Sequence, residues 1–220
     1  LDLDDLAGIA VTNRPGLIGS LLVGLSAAKA LAFVRGLPLI GVHHIEAHAY
    51  AATMELEEKP WPCLALVVSG GHTSLYIARS ALELVPIANT LDDAAGEAFD
   101  KVAWILGLGY PGGPEVSRLA TQGDPKAIPF PRYRSKDGSI GFSFSGLKTA
   151  VLYHVRGGDA LAPTPPPEEI EARADVAASF EAAVVDSLVG QTLKAAREHK
   201  LDRILVAGGV ACNHRLREVM

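Results

Sequence analysis

The chain has 220 residues, with 20 Lys+Arg against 25 Asp+Glu for a formal charge of −5; 49% of residues are hydrophobic and 20% charged. Its length corresponds to one large or two small domains, and its near-average composition excludes bulk disorder and allows a sizeable core without covalent staples. Two cysteines, Cys63 and Cys212, exclude a disulfide scaffold and a Cys-rich zinc module and fit a reducing compartment, while mild acidity confines any nucleic-acid contact to a local patch.

The chain opens on Leu1-Asp2-Leu3-Asp4-Asp5, without Met or a signal pattern, and closes on Arg215 to Met220, which reads as helix in mid-turn. Truncation at both ends is therefore expected. Leu17 to Val34 is apolar enough to invite a membrane reading, but Gly19, Ser20, Gly24, Ser26 and Lys29 interrupt it, and a buried helix is expected instead. A short strand, Leu39 to Val42, and a helix from His44 to about Leu56 follow. Pro60-Trp61-Pro62 marks an internal boundary.

Leu64 to Val68 and Thr73 to Ala78 read as a hairpin closed by Ser69-Gly70-Gly71-His72. Thr90 to Asp93 offer caps for a helix running to about Leu106, which ends in the Gly- and Pro-rich stretch 107–114. Residues 124–142 read as a polar loop, and Pro163 to Pro167 as a surface excursion. Apolar residues from Ile170 to Leu193 then recur at near-helical spacing in a long amphipathic helix. Arg203 to Ala207 reads as a strand, followed by Gly208-Gly209 and a helix start. Strands alternating with helices make the chain α/β.

Several features carry chemistry. In His43-His44-Ile45-Glu46-Ala47-His48, a helix brings His44 and His48 to one face, a spacing at which two imidazoles share a metal ion. Two exposed histidines are the plainer alternative. Glu46 lies about 200° round the helix from His44, so it cannot serve as the base of a zincin, which follows the first His directly. Two ligands also need a third from elsewhere.

The glycine pair in Val67-Val68-Ser69-Gly70-Gly71-His72-Thr73 suits backbone N–H groups wrapping an anion, or simply a hairpin turn. Gly208-Gly209, between a strand and a helix opening near Asn213, suits a nucleotide at a helix N-terminus. Asp93, Glu97 and Asp100 follow i, i+4, i+7 along the expected helix and form an acidic face. Lys126, Arg132, Arg134, Lys136 and Lys148, with Tyr133 and Phe142 interleaved, form either a phosphate-backbone strip or a solvated loop. Gly107 to Gly112 matches GxGxxG but follows a helix, Gly141 to Ser145 lacks the last Gly of a nucleophile elbow, and there is no P-loop.

The order of these motifs is more specific than any of them. Pro15 to Leu22, His43 to His48, Val68 to Thr73, Asp92 to Lys101, Tyr110 to Pro114, Phe142 to Lys148 and Gly208 to Asn213 together resemble the TsaD/Kae/glycoprotease (Gcp) family over essentially the whole chain. The resemblance implies an actin-like ATPase (ASKHA, ribonuclease-H-like) fold of two subdomains, incomplete here. Residues 1–60 would be part of the first subdomain with the metal-binding helix, and 61–220 the second, with the nucleotide loops and a helical insertion.

The implied activity moves the threonylcarbamoyl group of threonylcarbamoyl-AMP to N6 of the adenosine beside the anticodon of tRNA, in the cytoplasm and away from any membrane. If the source is bacterial, TsaB-like and TsaE-like proteins are the implied partners. The resemblance further implies one divalent metal ion per subunit, iron or zinc, on His44 and His48, completed by an Asp beyond Met220. It implies an adenylate or ATP-type ligand on Val67, Val68, Ser69, Gly70, Gly71, Asp100, Gly113 and Asn213, and assigns no general base. Arg14 and Ser117 depart from the family pattern, at a position usually Gly and one often acidic. Two alternatives remain open: a noncatalytic nucleotide- or partner-binding scaffold, and the metal-dependent O-sialoglycoprotein endopeptidase of the family's older description.

Overall fold

The computed structural model describes residues 2–159 and 161–220; Leu1 and Ala160 lie outside the described residues. The chain divides into two compact units, Leu1–Glu57 and Glu58–Met220.

In the first unit, strands β1 (Ile9–Arg14) and β2 (Leu39–His43) pair in parallel, Ile9 opposite Leu39 through Thr12 opposite Val42. Parallel strands need a crossover, and helix α1 (Ile18–Arg35) supplies it. Gly24, Ala28 and Ala32 recur every four residues, and a Cβ on Gly24 would lie 3.7 Å from Val11 of β1, so a stripe of small residues brings helix and strand together. Gly36 stops the helix in the left-handed conformation, φ +64°, its N–H turned back to the Ala32 and Phe33 carbonyls.

The expectation that α1 is buried needs correcting. Among its residues only Ala28 and Ala32 are buried, while Phe33 is 89% exposed and Ile18, Val23 and Val34 are also exposed. The physical reason is that a two-stranded sheet covers one stripe of a helix and leaves the remaining apolar side chains outside. By length and composition α1 could cross a membrane, yet its place between two hydrogen-bonded parallel strands is that of a crossover helix. Helix α2 (His44–Ala51) follows β2 directly. It ends five residues before the expected Leu56, continuing only as turns in which Thr53 N–H donates to the Tyr50 carbonyl and Leu56 N–H to that of Thr53.

The second unit is built on a four-stranded sheet, order β5-β4-β3-β6. Strands β3 (Cys63–Val68) and β4 (Thr73–Ser80) form the expected hairpin, Cys63 opposite Ala78 and Val68 opposite Thr73. All six residues of β3 are buried, which matches its uninterrupted apolar run. Burial pushes the Cys63 thiol up to about 11 despite the opposing charge of Arg203. Strand β5 (Glu83–Asn89), which the sequence reading did not single out, pairs antiparallel with β4 at the sheet edge, where Pro86 is tolerated because no outer neighbour needs its N–H.

Helix α3 (Ala95–Ile105) starts at Ala95, later than Thr90-Asp93 led one to expect, and α4 (Gly112–Ala120) begins inside the Gly- and Pro-rich stretch, with Pro114 in its first turn. Helix α5 (Ser145–Val155) is held at its start by Asp92, whose carboxylate accepts the N–H groups of Phe144 (2.8 Å) and Ser145 (3.2 Å) and the Ser143 hydroxyl (2.6 Å). The long helix α6 (Arg173–His199) crosses back to β6 (Ile204–Ala207), which lies parallel to β3, and α7 (His214–Val219) follows. Leu64, Leu66 and Val68 join Phe99, Val102, Phe142, Phe144, Phe180, Val184 and Leu188 in one core, where Phe99 and Phe180 meet edge to face at 5.2 Å. The loop 124–142 is tied to α6: Asp124 N–H donates to Asp175 (2.7 Å), Ile128 N–H to Ser179 (3.1 Å), and Arg132 pairs with Asp186 (2.8 Å).

Candidate nucleotide site and metal-binding pair

In the second unit the ends of β3 and β6 face the starts of α3, α4 and α7 around a cavity of about 930 Å³. Its walls hold Gly70, Asp100, Gly113 and Asn213, four residues drawn from segments spread over more than half the chain. The close approach of these segments is built into the backbone. A Cβ on Gly96 would stand 2.6 Å from the Ser69 carbonyl oxygen and 2.7 Å from Gly70 Cα, and Gly208 adopts φ +95°, next to the Val68 backbone. The hairpin loop is fixed from within, Ser69 N–H donating to the His72 carbonyl (2.8 Å) and His72 N–H to Ser69 Oγ (3.2 Å).

Of the other residues expected at the site, Val67 and Val68 are fully buried in β3 and shape the strand that presents the loop, and Ser69 and Gly71 belong to that loop. Asp100 spends one oxygen on the N-terminus of α4, accepting Gly112 N–H at 2.7 Å. Gly113 has open space where a Cβ would be. Asn213 caps α7 through Oδ1, which accepts Leu216 N–H at 2.8 Å. Its Nδ2 donates to Glu181 Oε1 (2.7 Å) and Ser117 Oγ (3.0 Å), while Ser117 Oγ–H donates to the same Glu181 oxygen (2.6 Å). Glu181 is the residue that motif reading missed. The signal was there: a lone acid in the apolar run Ala177 to Val185, on the face of α6 that is buried.

The acidic face expected along α3 is divided differently. Asp93 precedes the helix and bridges Lys101 (2.7 Å) and Lys148 (2.9 Å), while Glu97 pairs with Lys101 at 2.8 Å. Partial burial would raise the Asp93 pKa, but the hydrogen bonds of Lys101 and Lys148 outweigh it and hold the carboxyl below its ordinary value. The same bonds, from Asp93 and Glu97, push Lys101 above an ordinary lysine. The basic strip is correspondingly thinner than its sequence suggests. Arg132 and Lys148 are engaged with Asp186 and Asp93, and Lys126, Arg134 and Lys136 remain exposed.

In the first unit, α2 carries His44 and His48 one turn apart with their Nε2 atoms 3.1 Å from each other. Two imidazole nitrogens bound to one tetrahedral ion stand about 3.3–3.4 Å apart for metal–nitrogen bonds of 2.0–2.1 Å, so the pair fits a shared ion in spacing. Among the described residues no group of three or more His, Cys, Asp or Glu side chains gathers to complete such a site.

A family profile described as TsaD, tRNA N6-adenosine threonylcarbamoyltransferase, matches residues 1–220. The chain belongs to the TsaD family. It is 54% identical over 218 residues to the tRNA N6-adenosine threonylcarbamoyltransferase of Syntrophotalea carbinolica, covering 99% of this chain and 62% of that relative. The Geobacter sulfurreducens protein of the same name is 56% identical over 218 residues, with the same coverage. The chain thus spans about three fifths of the length of these TsaD relatives. Among solved structures it is similar to T. kodakarensis HypF, with a TM-score of 0.67 at 13% identity over all of this chain and 36% of that one. It is also similar to component A of the Acidaminococcus fermentans (R)-2-hydroxyglutaryl-CoA dehydratase, at 0.50 and 15% identity over 95% of this chain and 76% of that one. At such identities the likeness speaks to fold alone: the chain shares the α/β fold of these two proteins.

Proposed function

We propose that this chain forms the greater part of a tRNA N6-adenosine threonylcarbamoyltransferase that works in the cytoplasm with TsaB-like and TsaE-like partners. The observation that carries the reading is the convergence of Gly70, Asp100, Gly113 and Asn213 on one cavity in a chain of the TsaD family. The cavity takes the adenylate half of threonylcarbamoyl-AMP. The backbone N–H groups of Gly70 and Gly71 face its phosphate, Asp100 and Gly113 border the nucleoside, and Asn213 anchors the opposite wall. N6 of the tRNA adenosine attacks the carbamoyl carbon, the bond from that carbon to the phosphate oxygen breaks, and AMP departs with the electron pair as the attacking amine loses a proton.

His44 and His48 would hold a divalent ion, iron or zinc, with a third donor from outside the described residues; when bound, the ion supplies Lewis-acid polarisation of substrate oxygens. Lys126, Arg134 and Lys136 are the exposed cations available to the tRNA backbone. Peptidase chemistry lacks support: the helix that unites His44 and His48 carries Glu46 about 200° from His44, away from any shared ion.

The test is transfer of labelled threonylcarbamoyl from threonylcarbamoyl-AMP to tRNA by the full-length protein with its partners. His44→Ala should abolish bound metal and lower transfer by at least an order of magnitude without lowering the melting temperature of the metal-free protein. Unmodified tRNA with the wild-type assembly, or a His44→Ala variant as active as wild type, would overturn the reading. A noncatalytic scaffold would bind nucleotide or partners and leave tRNA unmodified.

A further inference from the structure

We propose that Glu181 binds the ribose of the nucleotide, its Oε2 accepting a hydrogen bond from the 2′,3′-diol; this rests on the nucleotide reading of the cavity. Glu181 is 8% exposed on α6 and lines the cavity together with Asp100, Gly113, Ser117 and Asn213. Its two oxygens are used unequally. Oε1 accepts both the Ser117 hydroxyl (2.6 Å) and the Asn213 amide (2.7 Å). Oε2 makes no hydrogen bond among the described residues, on a side chain that lines the cavity.

A carboxylate oxygen taken from bulk water without a donor is costly, and the donor that relieves the cost here must come from what fills the cavity. A phosphate offers no donor and would be repelled. Vicinal ribose hydroxyls offer neutral donors, and carboxylates read them in other nucleotide-binding folds. Glu181 also positions Asn213, because the Oε1 bond and the α7 cap fix both ends of that amide. One buried acid therefore orients the Asn213 wall with one oxygen and faces the sugar with the other.

Glu181→Gln separates the two roles. The amide keeps an oxygen for Ser117 and Asn213 but puts an N–H₂ donor where Oε2 was. Calorimetric titration of the full-length protein with AMP and 2′,3′-dideoxy-AMP should show the wild type preferring AMP by roughly 10- to 100-fold, the worth of a hydrogen bond to a charged group. In Glu181→Gln that preference should collapse to within about twofold, through loss of AMP affinity with dideoxy-AMP binding nearly unchanged. Glu181→Asp, which withdraws the carboxylate by one methylene, should lose the preference too and serves if the Gln variant does not fold.

A variant that keeps the preference, or that loses AMP and dideoxy-AMP affinity equally, overturns the ribose contact and leaves the nucleotide cavity standing. If the variant instead loses the preference for AMP over IMP, Oε2 faces the base amine and the proposal fails. A wild type that binds neither AMP nor dideoxy-AMP removes the nucleotide reading itself, and the proposal with it.

Discussion

The two units use their apolar residues in opposite ways. The second encloses them: β3 is buried along its whole length, and the middle of α6 is buried from Val176 to Val185. The first is equally rich in apolar side chains, but a parallel pair of strands under one helix hides only Ala28 and Ala32 of α1. Hydrophobicity alone therefore does not say what is core; the number of layers available to cover a segment does. The same contrast separates the two sets of candidate site residues. The cavity sits among the ends of a four-stranded sheet and the helices packed with it, so its walls are fixed by backbone contacts, whereas the His44/His48 pair rides on a two-turn helix.

The strongest challenge to this contrast compares two phenylalanines. Phe180 is fully buried against Phe99, and Phe180→Ala should cost about 3–5 kcal/mol in denaturant unfolding. Phe33, 89% exposed on α1, should cost no more than about 0.5 kcal/mol on the same substitution. Equal losses would break the comparison, since they would require something to cover α1.

Much of this was legible beforehand. The β3–β4 hairpin, the long α6 and the glycine loops followed from apolar runs and turn residues, and the order of the motifs pointed to the family. What escaped has particular physical causes. Pro86 masks β5, because only its edge position makes a proline acceptable there. Asp92 and Asp93 look like part of α3, but Asp92 caps α5, 52 residues away from it at Phe144, and Asp93 is a bridge to Lys148. Contacts of that range leave no periodic trace. Glu181 escaped for the same reason: its partners Ser117 and Asn213 are 64 and 32 residues distant.

An intermediate effect is expected at Asp93, which ties α3 to α5 through Lys101 and Lys148. Its carboxyl titrates below its ordinary value in the folded protein, so the bridge is fully present above the unfolded-state pKa, near 3.8, and is lost as pH falls through the lower folded value. Asp93→Asn should therefore destabilise the protein by about 1 kcal/mol at pH 7, a figure discounted for the solvent-exposed lysines, and by progressively less below about pH 4. Chemical unfolding from pH 7 to pH 3 measures the convergence. A difference that stays constant across that range would show that Asp93 acts through packing rather than charge.

The smallest perturbation touches single sulfur atoms. Cys63 is enclosed in β3 with its thiol pushed up to about 11, so almost none of it is thiolate at neutral pH and no reagent has a path to it. Cys212 is exposed and lines the cavity. Iodoacetamide at pH 8 should therefore label Cys212 and leave Cys63 unmodified until the protein is unfolded, with peptide mass mapping as the readout. Saturating AMP should slow the Cys212 reaction severalfold without affecting Cys63. Early labelling of Cys63 would mean that β3 opens more readily than the helices around it imply, and the covered sheet would then no longer differ in kind from the half-covered pair of the first unit. Protection of Cys212 by AMP in a protein whose Cys63 stays silent would place ligand binding on the rigid side of that division.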